Sequence, residues 1–559
     1  MLGAVFLVSA APARAPRRPT IVLISVDTLR ADHLSTYGYP RRTSPQIDAI
    51  ASRGLVFRAV VPQPQTSPSH ASLLTGVTPW KHGVLSNGFA MARGVDTLAG
   101  ALRRAGYRTA GVVAITHLGS SRGFANGFDS FSEPTVLEPG DSHLTNRRDA
   151  DRVNAEAVRL VNTHAAARAN APLFLFVHYF DCHYPYRSWD KTEDKTGTFT
   201  QADMQATQRQ LARYDDGITW TDRHIGELVN HVKKKLGDDV IVVITADHGE
   251  QIGDHDVPVG HNDIYSETVN VPLIVAGPGI ETGRIDSRVS TLDVPVTLAK
   301  LAGTRLRNHL DGIDLMDIAE KELSWIGRIV GVKDDRPFVV TGAPTYSRSL
   351  ALIRGTDWFI RNFDSAYRYA RVQTPAAGAP PVKEVAGRNA RGVTSYEVEV
   401  KRYQPFFVTF HHVARSPQCA ATAAVTIEPG FSYYAKPIAF TRSVRITVPA
   451  ARYDVVKLDV RPSTCAGKTF AEISRTPPAG TTDSPDLFAL LPSRRLRQAD
   501  EWYDVERDPS MLRNLAEGEA STDGFARELQ TRFEKLVRRT QNQSIPDEML
   551  RSLRSLGYL

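Results

Sequence analysis

Thr20-Ile-Val-Leu-Ile-Ser-Val26 is an almost wholly apolar run that stops at Asp27, and two later runs stop in the same way. Residues 173–180 lead into Asp181-Cys-His183, and residues 240–245 lead through Ala246 into Asp247-His248. Apolar runs without alternation read as strands buried on both faces, the pattern of a parallel sheet covered by helices. In such a sheet ligands bind beyond the carboxyl ends of the strands. Acids and imidazoles at three strand ends therefore converge on one rim.

Working outward, residues 109–114 and 272–276 read as further strands, and 96–105 and 208–236 as helices, so the stretch from Pro19 to about Gly303 is a series of βαβ units. After about residue 330 the texture changes to period-two alternation, as in Ser395-Tyr-Glu-Val-Glu-Val400 and Val455-Val-Lys-Leu-Asp-Val460. That pattern implies half-exposed antiparallel strands. Pro/Gly-rich stretches at 374–381 and 476–480 bracket these strands. The expected organisation is a signal segment at 1–18, a catalytic domain at 19–320, a small carboxyl-terminal subdomain formed by 321–373 and 485–559, and an inserted β-sandwich-like module at 374–484. The closing segments 526–537 and 546–556 read as helices.

The 559 residues, 42% hydrophobic and 23% charged, supply ample material for a large core. The net charge of +7 is spread along the chain rather than gathered into a basic stripe with interleaved aromatics, which argues against nucleic acid as a partner. At the amino terminus, Met1-Leu-Gly-Ala-Val-Phe-Leu-Val-Ser-Ala-Ala-Pro-Ala13 has the apolar core and A-x-A-like cleavage site of a secretory signal, so export to the periplasm or beyond is expected. No later segment reads as a membrane span. The three cysteines, Cys182, Cys419 and Cys465, do not form a zinc motif, and pairing of the last two is left open.

Asp27, Asp247 and His248 supply the mixture of carboxylate oxygen and imidazole nitrogen that a divalent cation requires. Each alone has a plainer reading, since an Asp after a strand often caps a helix. Thr66-Ser-Pro-Ser-His70 adds a hydroxyl. Pro68 suits the first position of a helix running to Thr75 and stopped by Gly76, which sets Thr66 just before a helix amino terminus, where free N–H groups and the dipole favour an anion. A hydroxyl is a poor nucleophile at neutral pH unless deprotonated, and a metal achieves that. The alternative is that Thr66 and Ser67 only cap the helix.

Ser25-Val-Asp-Thr-Leu-Arg-Ala-Asp-His33, Thr66-Ser-Pro-Ser-His-Ala-Ser-Leu-Leu-Thr-Gly76, Asp247-His-Gly-Glu250, Gly260-His261 and Glu501-Trp-Tyr-Asp-Val-Glu-Arg-Asp-Pro509 together resemble the sulfatase-like branch of the alkaline phosphatase superfamily. The resemblance implies an α/β sandwich around a mixed, largely parallel sheet, a small carboxyl-terminal α+β subdomain, and here an inserted antiparallel β module. It further implies that Asp27, Asp247 and His248 are metal ligands and Thr66 the nucleophile. Glu250 receives no role.

The departures narrow the chemistry. Sulfatases carry Cys or Ser, oxidised to formylglycine, where this chain has Thr66, and Arg where it has His70. Ile115 and His261 stand where two substrate-gripping lysines are expected, and a pair of aspartates becomes Asp27-Thr28. A conventional formylglycine mechanism is therefore not expected. Asp181, His183 and His261 are the set that a second metal, or the substrate itself, would use, and His70 and His117 are candidates for substrate contact or for satisfied pocket histidines. The expected function is cleavage or transfer of a phosphoester or phosphonate through a covalent Thr66 intermediate. The alternatives are a sulfatase acting without formylglycine and a non-catalytic metal- and glycan-binding protein. One or two divalent ions are expected, Zn or Mn favoured over Ca or Mg, with a small anionic ester or a glycan- or lipid-linked ester as substrate.

Overall fold

A computed structural model describes residues 18–134, 147–167, 171–187, 189, 206–256, 259–261, 263–331, 333–342, 349–362, 500–517 and 522–541, together with the backbone of strands lying between 371 and 474. The proposed signal segment up to residue 17, both Pro/Gly-rich brackets, Cys419, Cys465 and the 546–556 helix lie outside the described residues.

The main sheet has eight strands: β1 (Thr20–Val26), β2 (Gly54–Val60), β3 (Arg108–Val112), β4 (Ser130–Ser132), β5 (Leu173–Tyr179), β6 (Val240–Ala246), β7 (Asn270–Ala276) and β8 (Gly283–Ser290). Their order is β4-β3-β5-β1-β6-β7-β2-β8, so β1 is central with β5 and β6 as its neighbours. Both neighbours run parallel to β1, with Ser25 opposite His178 on one side and Thr245 on the other. The three apolar runs are thus adjacent and end on the same rim, as the α/β reading requires. Their side chains are buried throughout, which is why the runs lack alternation.

β7 is antiparallel to both β6 and β2, whereas the sequence placed 272–276 among the parallel units. After β6 the chain stays on the carboxyl-terminal rim, and the short helix Ser266–Val269 feeds directly into β7. A parallel return needs a crossover to the opposite edge, and none intervenes. β2, β4, β8 and the helix Ala150–Ala166 were not anticipated.

Helices sandwich the sheet in two packed groups. Ala150–Ala166 and Pro45–Ala51 pack on the long helix Ala206–Leu236, while Thr66–Thr75 packs with Leu98–Arg104 and Asp293–Leu301. A second sheet, wholly antiparallel, has the order Asp500–Asp504, Asp357–Asn362, Ser349–Arg354, Phe338–Thr341. Its two strands Asp357–Asn362 and Asp500–Asp504 are paired neighbours although the chain between them holds further strands. Those strands form separate antiparallel sheets of four and five, the first including Arg371–Gln373. The small sheet is tied to the rim by Trp358, whose indole N–H donates to the Ile264 carbonyl, and by Tyr265, whose hydroxyl donates to Glu501.

Candidate active site

Asp27 extends β1 by one residue, its N–H donating to the Tyr179 carbonyl of β5. The chain then turns sharply at Thr28, which has φ 57°. A β-branched residue in the left-handed region costs on the order of 1–3 kcal/mol and persists only where the surroundings impose it. Three contacts do so. The Thr28 N–H donates to Asp247 Oδ1 at 3.1 Å, its hydroxyl donates to the Asp27 carbonyl at 2.7 Å, and its carbonyl accepts from the Tyr214 hydroxyl at 2.6 Å. Threonine therefore acts here as a backbone and hydroxyl brace, not as the second carboxylate of an aspartate pair.

At the end of β6, Asp247 Oδ1 is taken by the N–H groups of Thr28 and His248. The imidazole of His248 donates from Nδ1 to the Gly249 carbonyl at 2.9 Å, so Nε2 keeps a free lone pair. Burial pushes this imidazole down to about 4, which keeps it neutral. Asp27 Oδ2 meets His178 Nε2 at 3.2 Å. What remains are Asp27 Oδ1 and Asp247 Oδ2, both buried and without a hydrogen-bond partner. Asp27, Asp247 and His248 each offer one ligand atom within 4.8 Å of the others. Burial and the neighbouring Asp247 push the Asp27 carboxyl well above the usual carboxylate range. Two orphaned carboxylate oxygens beside a bare imidazole nitrogen suit a divalent cation, because unpaired buried acceptors are otherwise costly.

Thr66 is the first residue of the helix Thr66–Thr75, with Gln65 as its cap and Gly76 ending it at φ 69°. Pro68 is the third helical residue rather than the first. A missing N–H is harmless anywhere in the first turn, so proline marks the turn but not its exact start. The first-turn donors are also fewer than expected: Ser67 gives its N–H to Asn87 Oδ1 at 2.8 Å and Ser69 gives its own to the Gln65 carbonyl. The dipole end still faces the rim. Thr66 Oγ1 lies 3.4 Å from His248 Nε2, which sets the hydroxyl at the ligand cluster.

His70 is wholly buried and both ring nitrogens are engaged, Nδ1 with the Thr66 carbonyl at 2.8 Å and Nε2 with the Ser25 hydroxyl at 2.9 Å. It braces the helix from behind and presents no nitrogen to a substrate. His117 lies in the turn Thr116–Leu118, its carbonyl accepting from the Ser67 hydroxyl.

The set Asp181, His183 and His261 is only partly drawn together. Asp181 Oδ1 turns to the start of the Ala150–Ala166 helix and accepts the Ala150 N–H at 3.0 Å, and burial raises its carboxyl to about 7. Asp181 Oδ2, like Asp27 Oδ1 and Asp247 Oδ2, is buried without a hydrogen-bond partner, but among the described residues only Asp27, Asp247 and His248 bring three ligand atoms within 4.8 Å of one another. His261 does reach the site, its ring centroid 4.3 Å from His248 and 5.4 Å from His183.

Three residues went unread in the sequence. Glu250 is buried and holds His261 Nδ1 at 3.0 Å, a carboxylate behind an imidazole. Its spacing after Asp247 was visible, but nothing local named its partner. Arg147, also buried, donates to the carbonyls of His183 and Pro185 and steadies that turn. His178 shows only as one imidazole inside the apolar run of β5. Gly249 allows the loop to close, since a Cβ there would meet the Glu267 carbonyl oxygen at 1.9 Å.

Comparison with known proteins follows the same outline. The model of the family described as Sulfatase matches residues 19–304, slightly over half of the chain. The chain is similar to the Delta 4,5-hexuronate-2-O-sulfatase of Bacteroides thetaiotaomicron, 26% identical over 374 residues that cover 59% of this chain and 76% of the relative. It is also similar to the choline-sulfatase of Rhizobium meliloti, 26% identical, covering 54% and 71%. A solved structure holding its substrate D-glucosamine-2-N,6-O-disulfate shares the fold, with TM-score 0.51, 19% identity and coverage of 62% of this chain and 89% of that one.

Proposed function

The chain belongs to the sulfatase family and is a hydrolase of sulfuric or phosphoric esters, and we propose that it cleaves or transfers a phosphoric ester or phosphonate through a covalent ester on Thr66. The observation that carries this reading is the Thr66 hydroxyl, 3.4 Å from His248 Nε2 at a cluster of three ligand atoms. A pure binding protein has no use for a hydroxyl so placed.

Asp27 Oδ1, Asp247 Oδ2 and His248 Nε2 would hold the divalent ion, for which the mixed oxygen and nitrogen set suits Zn or Mn. Bound there, such an ion supplies Lewis acidity toward a substrate oxygen and favours the alkoxide of a neighbouring alcohol. Thr66 Oγ1 gives its proton to solvent and forms a bond to phosphorus while the bond to the leaving oxygen breaks on the opposite side. The leaving oxygen takes up a proton from solvent and departs as an alcohol. Water, or an acceptor alcohol, then attacks the same phosphorus, and Thr66 leaves with its hydroxyl restored. The helix amino terminus at Thr66 favours the negative charge that gathers there. Threonine cannot supply a formylglycine aldehyde, and His70, Ile115 and His261 replace the cationic residues expected of a sulfatase, which favours phosphorus over sulfur.

The second reading is a sulfuric ester, favoured by the names of the relatives, which are sulfatases of a hexuronate and of choline. The carrier is proposed to be an anionic glycan. Tyr184 follows His183 directly and is 43% exposed, an aromatic side chain on which a sugar can rest. Export, if the amino-terminal segment is a signal, would suit such a substrate.

The test is metal analysis of the purified protein combined with a panel of aryl sulfate, phosphate monoester, phosphate diester and phosphonate. Turnover of a phosphorus ester that is lost in Thr66→Ala supports the leading reading. Preference for the aryl sulfate transfers the reading to sulfur, and full activity of Thr66→Ala removes the covalent step.

A further inference from the structure

We propose that His178 is a positioning residue that orients Asp27 as a single-oxygen metal ligand, an inference that rests on the metal reading of Asp27, Asp247 and His248. His178 lies near the end of β5, wholly buried and in register with Ser25 of β1. The Ala114 N–H points at its Nδ1 at 3.3 Å. A backbone amide can only donate, so Nδ1 accepts and the ring proton resides on Nε2. Nε2 lies 3.2 Å from Asp27 Oδ2 and donates to it. Backbone amide, imidazole and carboxylate thus form a one-way relay that occupies Oδ2 and leaves Oδ1 as the free acceptor.

Packing alone gives no reason for an imidazole in this strand, whose neighbours are Phe174, Leu175, Phe176 and Val177. Its two nitrogens carry a desolvation cost that an apolar side chain avoids, and the cost is offset only because each meets a partner. The relay also reaches the nucleophile side. The His70 and His178 rings meet edge to face at 4.8 Å, and His70 holds the Thr66 carbonyl. One buried polar cluster therefore backs both Asp27 and the first residue of the Thr66–Thr75 helix.

The experiment measures Mn2+ affinity of the full chain, stripped with chelator and titrated under electron paramagnetic resonance, beside the thermal unfolding of the metal-free protein. His178→Leu is expected to bind Mn2+ about 10–100-fold more weakly than wild type, the range typical of residues behind a metal ligand. His178→Gln, whose amide N–H still reaches Asp27, recovers most of that loss. A folded His178→Leu that binds Mn2+ as tightly as wild type overturns the inference. Should His178→Leu fail to fold, the comparison passes to His178→Asn, too short to reach Asp27, against His178→Gln; equal affinities overturn it. Asp247→Asn separates the two levels. If that variant keeps wild-type Mn2+ affinity, the metal reading itself fails; if it loses affinity while His178→Leu does not, only the role of His178 falls.

Discussion

The hydroxyl of Thr66 stands 3.4 Å from Nε2 of His248, a residue 182 positions later in the chain. With this hydroxyl as the proposed reacting group, Thr66→Ala is expected to lose activity by at least about 1,000-fold on the best panel substrate, whereas Thr66→Ser retains a hydroxyl and stays within about tenfold. Rapid-quench mass spectrometry should find a phosphoryl or sulfuryl mass on the peptide carrying Thr66 in wild type. Wild-type rates in Thr66→Ala would remove Thr66 from the mechanism.

If the orphaned oxygens of Asp27 and Asp247 hold the proposed cation, activity and stability depend on it together. Dialysis against EDTA should abolish turnover and lower the melting temperature, and restoring Zn2+ or Mn2+ should reverse both, because a ligand that binds only the folded state stabilises it by mass action. Unchanged melting and unchanged turnover after verified metal removal would contradict the assignment.

Glu250 holds His261 through Nδ1 at 3.0 Å. Glu250→Leu removes the acceptor behind the ring and is expected to reduce kcat/KM about 10–100-fold, with Glu250→Gln milder because its amide oxygen still accepts. Equal effects of the two substitutions would show that charge, rather than ring orientation, is what Glu250 contributes.

His82 governs an acid sensitivity that needs no substrate to observe. The Val84 N–H donates to its Nδ1 at 3.1 Å, so Nε2 donates to the Ser72 hydroxyl at 2.9 Å, and a second ring proton would face an N–H. Burial pushes the imidazole down to about 3. The folded value lies below the unfolded one, so the stabilisation is complete above about pH 6.5 and is lost as pH falls toward the folded value. In urea unfolding, the stability advantage of wild type over His82→Gln should shrink by about 1.4 kcal/mol per pH unit below 6.5. A constant advantage between pH 7 and pH 4.5 would refute it.

Much of the candidate cluster was legible because each of its residues closes an apolar strand: Asp27 follows β1 and Asp247-His248 follows β6. Parallel neighbours end on one edge, so strand ends and site are a single signal. Thr66 was legible by its helix, which stops at Gly76 as read. Asp181 also closes a strand, but its Oδ1 accepts the Ala150 N–H, from a helix the sequence did not reveal. β7 misled because a buried strand looks alike in either direction.

Which residue types occupy the rim, and that an α/β sheet carries them, can be read from the chain alone, since strand length and the absence of alternation are local properties. The sequence also determined that Thr66 cannot become formylglycine, which is a matter of covalent structure alone. Only the tertiary structure decided which oxygen of each carboxylate is left free, that Asn87 takes the Ser67 N–H, and that His178, Glu250 and Tyr214 stand behind Asp27, His261 and Thr28. Those are pairings between distant segments, fixed by packing and by the need of buried polar groups for partners, and no local pattern of residues encodes them.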